Sequence, residues 1–140
     1  MSIRFHYSEV SFELINEDKI CSWIQHVIES EKKVPGDILY HFVNEEQILE
    51  INLLHLSHDY FTDIITFDNS FVNIINGEIF ISIPTVQSNA IHFNTEFLLE
   101  LHRVVIHGVL HLCGYKDNSD LEKIQIRKME NHYLSYLEEL

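Results

Sequence analysis

Apolar residues Ile20, Trp23, Ile24, Val27 and Ile28 recur at helical spacing, so residues 18–33 are predicted to form a helix with one core-facing stripe. Pro35-Gly36 reads as its stop. Before it, residues 3–14 read as an extended, mostly β-like opening. Asp37 to Val43 carries apolar residues on both faces, the mark of an interior strand. Asn44 with Gln47 has the spacing of a capping box, opening a helix to about Leu56. Ile64 to Phe67 reads as a short β-branched strand. Gly77 to Ile83 reads as another, with Ile79, Ile81 and Ile83 alternating against Phe80 and Ser82. Pro84 ends it, and a short helix is predicted around Thr85 to Ile91. Asn94 or Thr95 is the expected cap of the next helix, whose core face is Phe97, Leu101, Val104 and Val105. Ser119 with Glu122 is a second capping box. It opens a last helix packing Ile126, Met129, Tyr133 and Leu137.

Strands and helices alternate, so the fold class is α+β: a small mixed sheet of about four strands with about five helices. No linker or repeat divides residues 1–140, which read as a single domain. At 46% hydrophobic, the chain has the composition of a packed protein rather than a disordered one. No apolar run approaches the ~20 residues of a membrane span, and the N-terminus lacks a signal-peptide core. Cys21 and Cys113 are the only cysteines. Two isolated thiols fit a reducing compartment, so a cytoplasmic protein is expected. Cys113 reads as a small residue buried in the last turn of its helix.

The net charge of -13 argues against a general nucleic-acid binder. The distribution changes that picture, because five of the nine basic residues follow position 101: Arg103, Lys116, Lys123, Arg127 and Lys128. A local basic rim is one reading of them, and solvated surface charge is the other.

The chemistry concentrates in His107-Gly108-Val109-Leu110-His111-Leu112-Cys113-Gly114-Tyr115-Lys116-Asp117. Histidines four apart share a helix face. Gly114 can adopt the left-handed geometry that ends a helix. Asp117 then returns as a third donor. Two imidazoles and one carboxylate make a three-point metal site with an open fourth position, the pattern of a catalytic zinc centre. With ten histidines present, about 0.7 such histidine pairs are expected by chance; the glycine and acid at matching offsets lower that to roughly 0.01. The spacing follows the metzincin proteases except at Gly108. Those enzymes place there the glutamate that activates the zinc-bound water, and glycine accepts no proton. The site therefore reads as hydrolytic but not proteolytic by that route.

Three stretches together resemble the YbeY endoribonucleases, a family also called rRNA maturation factors. His107 to Tyr115 is similar to the family's His-Gly-x-Leu-His-Leu-x-Gly-Tyr. Thr62-Asp63-Ile64-Ile65-Thr66-Phe67 is similar to Thr-Asp-Val-Leu-Ser-Phe, and Gly77-Glu78-Ile79-Phe80-Ile81-Ser82 to Gly-Asp-Ile-x-Ile-Ser. Order, spacing and length agree. The resemblance implies a metalloprotease-like (zincin-like) fold and a metal-dependent endoribonuclease. It implies small-subunit rRNA 3′ end processing and ribosome quality control, with rRNA, the small ribosomal subunit and ribosome-associated proteins as partners. It places Thr62, Asp63 and Glu78 beside the cleft.

Two departures stand out. The family usually has a third histidine where this chain has Asp117. Aspartate still ligates zinc, but as a harder donor it broadens the expected preference towards manganese or nickel. The family also usually carries an arginine where this chain has Leu56; His58 is nearby and, when protonated, could partly replace that cation.

The expected mechanism is metal-assisted phosphodiester hydrolysis, with His107, His111 and Asp117 holding the ion and Arg103, Lys116 and His58 meeting RNA. The ion makes its own hydroxide near neutral pH, so Gly108 need not be a base. Two rivals stay open. One is a metallopeptidase using another acid, such as Glu78. The other is a non-enzymatic ribosome-assembly factor with a structural metal.

Overall fold

The computed structural model describes residues 2–56 and 62–140. The elements run β1 (Ser2–Tyr7), α1 (Glu17–Ser30), β2 (Val34–Val43), α2 (Glu45–Leu56), β3 (Ile64–Asp68), β4 (Ile74–Ser82), α3 (Ile83–His92), α4 (Phe97–Leu112) and α5 (Asp120–Glu139). The strands form one mixed sheet in the order β1-β2-β4-β3. β1, β2 and β4 are parallel, and β3 runs antiparallel on the β4 edge. β2 is interior, as its two apolar faces predict.

The alternation along β2 and β4 decides what each sheet face does. Ile38, Tyr40, Phe42, Ile75, Ile79 and Ile81 are buried in the main core. They pack there with the α1 stripe of Ile20, Trp23, Ile24, Val27 and Ile28 and with Leu101, Val104, Val105 and Val109 of α4. On the other face, Ile48 of α2 meets Val43 and Ile65 in a smaller cluster, with Phe67 and Phe80 packed against it. α4 is thus pressed against the sheet along its length, which gives the metal motif a rigid base.

Both predicted capping boxes form. Asn44 Oδ1 accepts from the Gln47 backbone N–H while Gln47 Oε1 accepts from that of Asn44. Ser119 and Glu122 make the same exchange at α5.

Four boundaries differ from the sequence reading. The opening strand stops at Tyr7, because its partner β2 ends one residue past the Tyr7–Phe42 pair and turns into α2. Pro35-Gly36 does not stop α1; it lies inside β2, beside the register shift between Pro35 and Ile38, where a strand tolerates proline. α1 ends earlier, in a turn with Lys32 at φ 64° and Lys33 N–H bonded to Ile28 C=O. Ile83 belongs to α3, because Ser82 caps that helix and Pro84 sits in its first turn. Asn94 does not cap α4. At φ 54° it closes α3, with Thr95 N–H on Ala90 C=O, a left-handed position that asparagine accepts readily. Glu96 is the residue preceding α4, and its side chain makes no capping bond.

Candidate metal centre

α4 presents His107 and His111 one turn apart, and the turn after it brings Asp117 back to them. That turn is a Schellman motif: Gly114 N–H bonds to His111 C=O and Tyr115 N–H to Leu110 C=O, each at 3.0 Å. Gly114 adopts φ 108°, a conformation that needs glycine.

His107 Nε2, His111 Nε2 and Asp117 Oδ2 converge. The two nitrogens are 2.9 Å apart, and each is 3.4 Å from the aspartate oxygen. A tetrahedral ion with bonds of about 2.0–2.2 Å separates its donors by about 3.3–3.6 Å. The two aspartate edges match that, and the histidine edge is tighter. The other ring nitrogens are already engaged. His107 Nδ1 donates to Glu130 Oε2 at 2.6 Å, and His111 Nδ1 donates to Tyr115 C=O at 2.9 Å. With both Nδ1 atoms donating, neutral rings turn lone pairs inward at Nε2, the arrangement of metal-ligating histidines. Two lone pairs facing each other at that distance favour a cation between them. Among the described residues, these are the only three acid, cysteine or histidine side chains grouped closely enough to hold an ion.

Glu130 was not among the sequence candidates. The residue is 3% exposed, and its carboxylate also accepts from Arg103 Nη1 at 3.0 Å, with Arg127 at 3.6 Å. Burial disfavours its charge, but His107 and Arg103 more than compensate and hold it below the ordinary glutamate range. Burial likewise opposes a charged His107 ring, yet the Glu130 bond and charge, with Asp117 and Asp63, raise it overall. The signal for Glu130 was present: it sits on the core stripe of α5 with Ile126, Tyr133, Leu134 and Leu137, where an acid must have a partner.

Two hollows flank the donors. One, of about 430 Å³, is walled by Asn52, Thr62, Asp63, Thr66 and Asp68 beside His107, His111 and Asp117. The other, of about 370 Å³, shares Asp63, His107 and Asp117 and adds Asn89, Phe93, Arg103, Lys123 and Arg127. Thr62 and Asp63 therefore lie in the cleft wall. Burial is the main influence raising the Asp63 carboxyl, with His107 opposing it.

Other candidates are placed differently. Glu78, expected at the cleft, lies on the opposite face of β4, 3.8 Å from His41, and lines a separate hollow with Arg4 and Leu39. Alternation along β4 turns Ile79 to α4 and Glu78 away from it, so Glu78, the acid named for the peptidase alternative, stands away from the donors. Arg103 lines the second hollow but is tied to Glu130. Lys116 is exposed and lines neither hollow. His58 and the side chain of Leu56 lie outside the described residues. Burial pushes the Cys113 thiol up to about 12, so it stays a protonated packing residue.

Gly108 has its own structural reason. A Cβ there would lie 2.9 Å from Ile79 Cδ1 and 3.2 Å from Ile64 Cδ1, so α4 sits close against the sheet at this position. Gly108→Ala should gain about 1 kcal/mol of helix propensity and lose about 1–3 kcal/mol to overpacking. A small net destabilisation is expected in denaturant unfolding. Gly108→Glu should cost several kcal/mol, by burying an unpaired acid, and should confer no cleavage of casein.

The comparisons agree with this geometry. The family model described as Endoribonuclease YbeY matches residues 5–138. The chain belongs to the YbeY endoribonuclease family. An Endoribonuclease YbeY of Parabacteroides distasonis is 43% identical over 139 residues, covering 99% of this chain and 98% of its own length. One of Christiangramia forsetii is 46% identical over 129 residues, covering 92% and 90%. A solution structure of a Thermotoga maritima protein superposes with a TM-score of 0.64 at 28% identity, over 97% of this chain and 89% of that one. The YbeY match thus extends over nearly the whole α+β unit and includes all three donors. Among the described residues, no helix is long and apolar enough to cross a membrane.

Proposed function

We propose that residues 1–140 act as one metal-dependent endoribonuclease domain that works on ribosomal RNA in the cytoplasm. In this reading it matures the 3′ end of small-subunit rRNA and serves ribosome quality control, meeting the small ribosomal subunit and its associated proteins. The observation that carries the reading is the convergence of His107 Nε2, His111 Nε2 and Asp117 Oδ2 at 2.9–3.4 Å in a chain whose relatives are described as endoribonucleases. Among the described residues three donors converge, and a position left open favours a catalytic over a structural ion. Zinc suits two imidazoles and a carboxylate; manganese and nickel remain compatible with Asp117.

When bound, such an ion supplies a hydroxide near neutral pH and polarises a phosphoryl oxygen. The chain's own residues do the rest. Glu130 and the Tyr115 carbonyl fix the two rings. Asp63, with its raised carboxyl in the wall of both hollows, is placed to hold a proton beside the reacting phosphate. Lys123 and Arg127 face the second hollow and give an otherwise acidic chain a local contact for the RNA backbone.

The test is purified protein incubated with rRNA fragments and with casein side by side, at increasing salt. RNA cleavage without casein cleavage is expected. With two to four phosphate contacts, the slope of log affinity on log salt should be roughly -1.4 to -2.8. Casein cleavage, or no RNA cleavage with metal supplied, would refute the assignment.

Asp117 gives a second expected outcome. Asp117→Ala should weaken metal binding, and Asp117→His should restore it with a preference shifted towards zinc, as read by competition between zinc and manganese. Parental affinity in Asp117→Ala would remove it from the ligand set.

A further inference from the structure

The metal ligands are oriented by two groups, the Tyr115 carbonyl and the Glu130 carboxylate, and both are traceable to a single acid that is not itself a donor. Glu31 stands at the C-terminal cap of α1. Its Oε1 accepts from the Tyr115 hydroxyl at 2.8 Å, and its Oε2 accepts a short bond from the Tyr133 hydroxyl. The chain separation is 84 residues to Tyr115 and 102 to Tyr133, so neither contact is a by-product of local backbone geometry.

Each tyrosine leads to one ligand. Tyr115 is held at three points: its N–H by Leu110 C=O, its hydroxyl by Glu31, and its C=O by His111 Nδ1. Fixing the first two sets the direction of the third, and with it the plane and tautomer of the His111 ring. Tyr133 lies three residues beyond Glu130, on the same buried face of α5. Its hydroxyl is bound by Glu31, and its backbone carbonyl accepts from Trp23 Nε1 of α1 at 2.8 Å. α1 therefore grips α5 within one turn of the carboxylate that orients His107.

We propose that Glu31 is a positioning residue for the metal centre, acting through Tyr115 on His111 and through Tyr133 on the Glu130–His107 pair. It touches neither substrate nor ion. The proposal rests on reading His107, His111 and Asp117 as the metal ligands. It predicts that a side chain on α1 sets metal affinity at the end of α4.

The test measures Zn²⁺ affinity of the full chain by competition with a chromophoric chelator, and the imidazole nitrogen signals of His111 in the metal-free chain by NMR. Tyr115→Phe removes one oxygen and keeps the carbonyl; Glu31→Ala removes both acceptors. Each should weaken Zn²⁺ binding by roughly 10-fold, the lower end of what losing an outer partner of a ligand costs. Each should also shift the His111 nitrogens towards mixed tautomers. Combining the two should cost no more than Glu31→Ala alone, because the residues act in series. Ile20→Val, a mild loosening of α1 packing, should leave Zn²⁺ affinity and the His111 signals unchanged.

Parental affinity and parental His111 signals in Tyr115→Phe would overturn the relay, as would equal weakening by Ile20→Val, which would mark a general stability effect. If Glu31→Ala does not fold, Tyr115→Phe against Ile20→Val still decides. His111→Ala separates the two levels. If it retains Zn²⁺, the ligand assignment fails; if it loses Zn²⁺ while Tyr115→Phe does not, only the relay fails.

Discussion

His111→Ala is expected to lose most bound metal and to cut RNA cleavage by on the order of 10³-fold, since an ion contributes several kcal/mol to such a reaction and each ~1.4 kcal/mol is tenfold. Three donors give little redundancy, and the alanine leaves His107 and Asp117 as a two-point site. The fold should survive. His111 is only partly buried; its Nδ1 bonds a loop carbonyl and its Nε2 meets His107 and Asp117 at the site, so the truncation opens no core cavity. Metal analysis, far-ultraviolet circular dichroism and cleavage measured on one preparation check all three parts. Stoichiometric metal in a folded His111→Ala would sink the site.

Glu130→Ala should have the largest effect on stability. It removes the carboxylate shared by His107, Arg103 and Arg127 and leaves Arg103, whose side chain is 15% exposed, without its partner. Breaking a buried ion pair by deleting one member costs about 3–5 kcal/mol. Metal affinity in the folded fraction should fall about 10–100-fold, as it does when the outer partner of a ligating histidine is lost. Glu130→Gln keeps the volume and one acceptor oxygen, so it should retain more of both. Urea unfolding with a metal titration below the transition measures the two effects separately. A Glu130→Ala protein as stable as the parent would show that the ion pair carries no net stability. Unchanged metal affinity would show that Glu130 does not orient His107.

The parts of this architecture legible in the sequence were those written in local pattern. The α1 stripe, both capping boxes and the interior character of β2 follow from spacing alone, because each depends on neighbours within a few residues. The His107–His111 pair and Gly114 were legible for the same reason: a helix turn and its Schellman ending are short-range objects. The boundaries that moved were set by distant partners. Pro35-Gly36 sits in a strand because β4 pairs beside it, and Asn94 serves the end of α3 rather than the start of α4. Glu130 and Glu31 were missed because their meaning lies in contacts 23 and 84 residues away. A sequence shows that an acid interrupts an apolar stripe, but not which histidine answers it. Glu78 was drawn to the cleft by its motif, although strand alternation already turned it from the face that Ile79 and Ile81 share.

The central claim is that His107, His111 and Asp117 hold one ion that RNA cleavage requires. Elemental analysis of the purified chain, paired with cleavage before chelation, after chelation and after metal is restored, tests it most directly. About one divalent ion per chain, with cleavage lost on chelation and recovered on re-addition, is the expected result. A chain that cleaves RNA equally well after its metal has been removed would contradict the account.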